Sequence, residues 1–286
     1  MTRSFFNSIF AKRKFIYIAC LCLSITACSP GFIYKNLSWM IFWYVDDYVT
    51  LNDEQEVKFI NMVKETLAWH KQQELPRYRQ FLQGVHDKLD QPLNEDDIND
   101  MQDFMTVAFQ TLQQYIAPTI LPLFKTLNAE QQQTFWAEID RKQVKYEKER
   151  LSKSNEEYAN DLNERYRAFS ERLLGALTED QEVLIANRVN NAIRADDVWL
   201  KSRRAWLSNI KTQSEQPTDD WQARVQAAWL DRDPNYSTEE QLTIHKRDKQ
   251  ARQLLLAVVN SRTDKQNEHF KKFIRDWQGK FARWQE

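Results

Sequence analysis

The chain has 286 residues, 40 Lys and Arg against 41 Asp and Glu, and a mean hydropathy of −0.71. Both signs are interspersed along nearly every segment, which excludes the clustered positive charge that a polyanion such as nucleic acid requires. Only four glycines occur, too few for phosphate-cradling loops or a set of tight hairpins, which need positive φ, so helices must carry the fold.

In chain order, the first segment is a leader. Arg3, Lys12, Arg13 and Lys14 stand in an acid-free start, and Phe15 to Ala27 carry no charge. A basic stretch followed by a short apolar run is the layout of a secretory signal peptide, whereas a spanning helix needs about 20 apolar residues. Ile25, Thr26, Ala27 and Cys28 follow. They resemble the lipobox of bacterial lipoproteins: an aliphatic residue, two small ones, and the cysteine that is diacylated through sulfur. The resemblance implies removal of residues 1–27 and a lipid on Cys28. With Ser29 rather than Asp after the cysteine, it implies the periplasmic face of the outer membrane, the inner membrane being the other address. The competing reading is a cut at a neighbouring small residue, with Cys28 a bare thiol. Cys20 and Cys22 lie in the removed segment, so an acylated Cys28 leaves no thiol for disulfides or metal ligation in an oxidising compartment. The mature chain keeps 36 basic and 41 acidic side chains, a formal charge of −5.

Residues 28–50 then form a lipidated tether with an aromatic-rich helix. Trp39, Phe42, Trp43 and Tyr44 sit among Ile33, Leu37, Met40, Ile41 and Val45. A helix so apolar on every side is either buried at the centre of a core or lies in a membrane interface, where Trp and Tyr are at home.

Residues 51–286 read as a helical domain, large enough to bury a substantial core. One start signal recurs, an apolar residue before Asn or Thr with Gln or Asp three residues later. It stands at Leu51 to Gln55, Leu93 to Asp97, Leu127 to Gln131 and Leu177 to Gln181, and Tyr236 to Glu240 repeats it with Ser. The cap side chain accepts from the first-turn amides and the third residue reaches back to the cap's own N–H. Apolar positions between the starts recur at steps of three and four, as in Tyr158, Leu162, Tyr166, Phe169 and Leu173, one stripe of a helix. The predicted helices span about 31–47, 52–73, 76–89, 94–125 with breaks at Pro118 and Pro122, 128–174, 178–212, 218–231 and 237–284, with no strand. The fold class is all-α, a multi-helix bundle of long amphipathic helices. The charge-dense stretch 141–157 reads as a solvated helix held by weak i,i+4 ion pairs or as a hinge.

Three groups are candidates for function. Asp46 and Asp47 end the aromatic segment, but adjacent helical positions point about 100° apart and do not share a site. Their structural role is to lead the turn toward Asn52. Trp69, His70, Glu74 and Arg77 form the second group. His70 and Glu74 are one turn apart, yet a catalytic zinc wants a third protein ligand and His86, His245 and His269 lack the spacing. No metal or cofactor is therefore expected, and the pair reads as a hydrogen bond ahead of the Pro76 turn. In the third group, Asp196, Asp197, Arg203 and Arg204 interrupt an apolar line through Ile185, Val189, Ala192, Trp199, Trp206 and Ile210. That seam turns Asp196 and Arg203 inward, and a buried acid needs a partner. The group is an Asp–Arg network fixing helix register or a pocket for a charged ligand.

Trp39 to Asp47, the Trp69-His70 pair, Glu74-Leu75-Pro76-Arg77-Tyr78 and the Trp199 to Trp206 segment with its arginines resemble an uncharacterised family of proteobacterial lipoproteins with a domain of unknown function. The resemblance implies a lipid anchor, an envelope location and a helical fold, and carries no catalytic residue across. Leu177-Thr178-Glu179-Asp180-Gln181, and Leu127 to Gln131 with Asn for Thr, are also similar to the paired Leu-Thr-x-x-Gln motifs of small periplasmic chaperones of the Spy and CpxP type.

No nucleophile elbow, His-Glu-x-x-His motif, phosphate loop or cofactor fingerprint occurs in the sequence. The leading expectation is a non-enzymatic envelope protein that binds or scaffolds partner proteins, in one version as a chaperone in envelope assembly or stress. The rivals are an envelope hydrolase using Asp46, Asp47 or Asp196 with His70, and a protein that remodels the membrane interface through its aromatic helix.

Overall fold

The computed structural model describes residues 30–216, 218–231 and 236–286, and the side chains of all of these but 30–33 and 35. The leader, Cys28, Pro217 and Pro234 lie outside the described residues. Among those residues the fold is all-α, with no strand. The helices are α1 (Pro30–Asp46), α2 (Asp53–Trp69), α3 (Leu75–Lys88), α4 (Glu95–Lys125), α5 (Ala129–Leu151), α6 (Asn155–Leu174), α7 (Glu179–Val189), α8 (Asp196–Glu215), α9 (Trp221–Leu230), α10 (Thr238–Asn260) and α11 (Asp264–Gln285), with a π turn (His70–Glu74) between α2 and α3.

Every expected start closes as a reciprocal capping box, with Asn52, Asn94, Asn128, Thr178 and Ser237 as caps. Each such cap contributes about 1 kcal/mol to its helix. Three expected helices are instead interrupted. The span 128–174 turns at Ser152–Ser154, where Ser154 and Glu157 make a further box that starts α6. The charge-dense stretch is thus helical to Leu151 and then turns. The span 178–212 breaks between Val189 and Asp196, and 237–284 breaks where Thr263 and Gln266 cap α11.

The opposite correction applies at prolines. The expected breaks at Pro118 and Pro122 do not occur, since α4 runs unbroken through both. Each proline removes one helical bond, but Gln114, Pro118 and Pro122 are exposed, so water serves the carbonyls left open. The helix pair expected at 52–73 and 76–89 is one continuous rod. The Leu75 N–H bonds back five residues to the His70 carbonyl, and this π widening brings Pro76 into α3 without a break. The Lys71 carbonyl instead accepts from Gln285 Nε2 of α11 at 3.4 Å.

The long α4 ties three apolar clusters together. Its N-terminal Ile98 packs with Val85, Leu89, Leu174, Ile185, Val258 and Ile274, the main core among α3, α6, α7, α10 and α11. At its other end Leu123 meets Phe59 and Val63 of α2 beneath Phe42 and Val45 of α1, and Leu121 meets Trp221 and Val225 of α9. No helix among the described residues is long and apolar enough to cross a membrane.

Candidate functional site

The three sequence groups occupy three separate settings. In α1 the burial expectation holds on one side of the helix only. Ile41, Phe42 and Val45 pack on α2, while Trp39, Met40, Trp43 and Tyr44 are 52%, 41%, 59% and 62% exposed. The exposed four share one stripe, with the Trp39 and Trp43 rings 3.9 Å apart. Tyr44 and Tyr48 hydroxyls bond at 2.8 Å, and Lys142 Nζ lies 3.4 Å from the Tyr48 ring centre. Asp46 and Asp47 are exposed beyond this stripe, in the turn closed by Tyr48 N–H donating to the Val45 carbonyl.

The second group surrounds the π turn. The expected His70–Glu74 hydrogen bond is absent from the contacts of the described residues, because each side chain finds a different partner. His70 Nδ1 lies 2.6 Å from the Tyr34 hydroxyl, and its ring meets Tyr78 edge-on. Glu74 Oε1 accepts from Arg77 at 2.6 Å. Trp69 turns away and stacks on Tyr115 at 4.0 Å. Glu74 is 1% exposed, and its Oε2, like the Trp284 indole N–H, is buried without a hydrogen-bond partner. Burial holds the His70 imidazole below its ordinary 6.5, against the opposing pull of Glu74. Burial, with Tyr78 beside it, pushes the Tyr34 phenol up to about 12. His70 and Tyr34 are therefore neutral at pH 7, in a polar knot where α1, the π turn and α11 meet.

The third group borders a cavity of about 500 Å3 among α5, α6, α7, α8 and α10. Asp196 is tucked in as expected, but its partners are Arg194 (3.1 Å) and Arg150 (3.5 Å). Arg203 instead lies over the Tyr146 ring at 5.8 Å, and Arg204 pairs with Glu147. Trp199 stands on the rim, edge-on to Tyr146. Reading the sequence missed Arg150, Arg165, Arg188 and Arg247, which also line this cavity. Their signal was faint. Tyr146 and Arg150 sit four apart inside the charge-dense stretch, and Tyr158 and Tyr166, assigned to a core stripe, face the cavity as well.

Among the described residues no hydrogen bond or ion pair joins His70 to Asp46, Asp47 or Asp196. His70 has a tyrosine partner and Asp196 has arginines. Three or more His, Cys, Asp and Glu do not gather into a metal-holding group among these residues either.

The model of a family of unknown function, DUF6279, matches residues 47–239. The matched span contains the π turn, Asp196, Trp199 and Arg203, and it begins just after the exposed aromatic stripe. No curated protein and no solved structure matches the chain.

Proposed function

The chain belongs to the DUF6279 family, and from that premise we propose that it is a lipid-anchored periplasmic protein of non-enzymatic binding type, held against the outer membrane by Cys28 and by the exposed face of α1. The observation that carries this reading is the uncovered stripe of Trp39, Met40, Trp43 and Tyr44. It lies on a helix that starts at Pro30, two residues after the cysteine. With so short a tether, α1 cannot stand far from the bilayer, and its 17 residues run about 25 Å along it. Large apolar side chains contribute about 1.5–3 kcal/mol each when fully buried, so partial insertion of this stripe supplies a few kcal/mol. That is a secondary contact beside two acyl chains. The stripe turns the helical body, with its arginine-lined cavity, in one fixed attitude to the membrane.

Flotation with liposomes tests the reading. Wild-type protein carries acyl mass on Cys28 and floats quantitatively. Cys28→Ser protein floats weakly and is stripped by alkaline wash, and adding Trp39→Ala and Trp43→Ala abolishes the remainder. An unmodified thiol in the wild type, or Cys28→Ser protein that resists the wash, overturns the anchor. Equal flotation with and without the two tryptophans overturns the role of α1.

A further inference from the structure

We propose that the cavity among α5, α6, α7, α8 and α10 binds an organic oxyanion, a phosphate or carboxylate carried on a flat apolar body. This rests on the binding role proposed above and names its ligand chemistry. The size is suitable, since small-molecule clefts run from about 300 to 1,000 Å3 and this one holds about 500 Å3.

Charge argues for an anion. Arg150, Arg165, Arg188 and Arg247 line the cavity against one carboxylate, Asp196, which is already shared between Arg150 and Arg194. Of the nearby acids outside the lining, Asp248 pairs with Arg247 and Asp161 with Lys153. Arg165 Nε makes one 3.3 Å bond to the carbonyl of Asp161 on its own helix. The Arg188 side chain has no hydrogen bond or ion pair among the described residues. Both residues are exposed and line the cavity, and each guanidinium is a fork-shaped donor that matches phosphate and carboxylate oxygens two at a time.

The interior argues for an apolar body. Tyr158, Tyr166 and Leu162 of α6 face Val189 and Leu254, both buried, and Trp199 extends the aromatic wall to the rim. Flat rings beside guanidiniums favour a planar ligand through stacking. A bare inorganic anion engages only the mouth and leaves this lining wet.

The frame is preformed, which limits the ordering cost of binding. Arg194 donates to the carbonyls of Arg150 (2.7 Å) and Lys153 (2.8 Å), clamping the α5–α6 turn. Gln250 accepts from the Ile193 N–H at 2.9 Å and donates to the Asn191 carbonyl at 3.2 Å, clamping the α7–α8 turn.

Calorimetry on the full-length protein in non-ionic detergent tests the assignment with 1-naphthyl phosphate, 1-naphthoate, 1-naphthol, inorganic phosphate and dihexanoyl phosphatidate. At least one naphthyl anion should bind one to one, and naphthol and inorganic phosphate at least tenfold more weakly. Arg165→Gln with Arg188→Gln should raise the Kd at least tenfold while leaving the ligand-free melting temperature in place. Ala251→Trp, which fills the cavity, should also abolish binding. If phosphatidate binds more tightly than naphthyl phosphate, the source is a lipid headgroup, and the reverse order assigns a free small anion. Failure of both naphthyl anions and phosphatidate to bind, or binding unchanged in the variants, overturns the inference. Because flotation is read separately, loss of ligand binding with flotation intact leaves the membrane reading standing.

Discussion

The starts of α2 and α5 are joined by Gln55 and Gln131, and the starts of α7 and α11 by Gln181 and Gln266. In both pairs the third residue of a capping box works twice. Its Oε1 accepts from its own cap's N–H, and its Nε2 crosses to the other helix. Gln55 and Gln131 exchange bonds of 3.2 and 2.8 Å, with further donations to the Thr126 and Thr50 carbonyls. Gln181 and Gln266 exchange bonds of 2.9 and 2.8 Å, with donations to the Ser261 and Ala176 carbonyls. The settings differ. Gln181 and Gln266 are 1% and 5% exposed, beside the main core, whereas in the other pair Gln55 is 4% exposed but Gln131 only half-buried. The same clasp is thus sealed on both sides in one region and open to water on the Gln131 side in the other, and a lost hydrogen bond is expensive only where water cannot replace it.

The largest expected effect follows from the sealed clasp. Gln181→Ala removes the bond to the Thr178 N–H, the donation to the Ser261 carbonyl and both buried bonds exchanged with Gln266, and should cost about 3 kcal/mol in urea unfolding. Gln55→Ala should cost about half as much, because solvent reaches Gln131. Equal losses would break the comparison. The smallest effect sharpens it by pH, since the open region continues into the π turn and its half-buried His70. The native state resists protonation of His70 more than the unfolded chain does. Its contribution is therefore whole above pH 6.5 and lost as pH falls through the lowered native value. Unfolding titrations between pH 7 and 5 should show this slope in the wild type and not in His70→Asn. Gln181→Ala should retain it, and its absence there would show that the two regions do not titrate independently.

The sequence made the fold legible where an apolar residue preceded the cap. Ser154 and Thr263 carry the same box, yet Lys153 and Arg262 stand before them and the flanking stripes read straight through. Asn190 and Asn191 end α7 without glycine or proline. Prolines misled in the other direction, because their cost depends on whether the carbonyls they orphan meet water, which periodicity does not encode. Of the candidate site, Asp196 and Trp199 were visible as polar and aromatic interruptions of a helical line. Arg150, Arg165, Arg188 and Arg247 come from four different helices and converge only through tertiary packing. Tyr34 was hidden as the partner of His70 for the same reason, being 36 residues away.

The π turn at His70–Glu74 has a consequence for how the chain tolerates changes of length. It stores one surplus residue within a helix whose two flanking segments keep their own bearings. Deleting exposed Gln73 lets the ladder close to ordinary pitch with the faces of α2 and α3 nearly unmoved. The same deletion in the middle of α2 or α3 swings everything beyond it by about 100° and carries Val63 or Val85 out of its apolar setting. A one-residue deletion in this rod is therefore absorbed at one locus, beside the Tyr34–His70 contact, and nowhere else along its length.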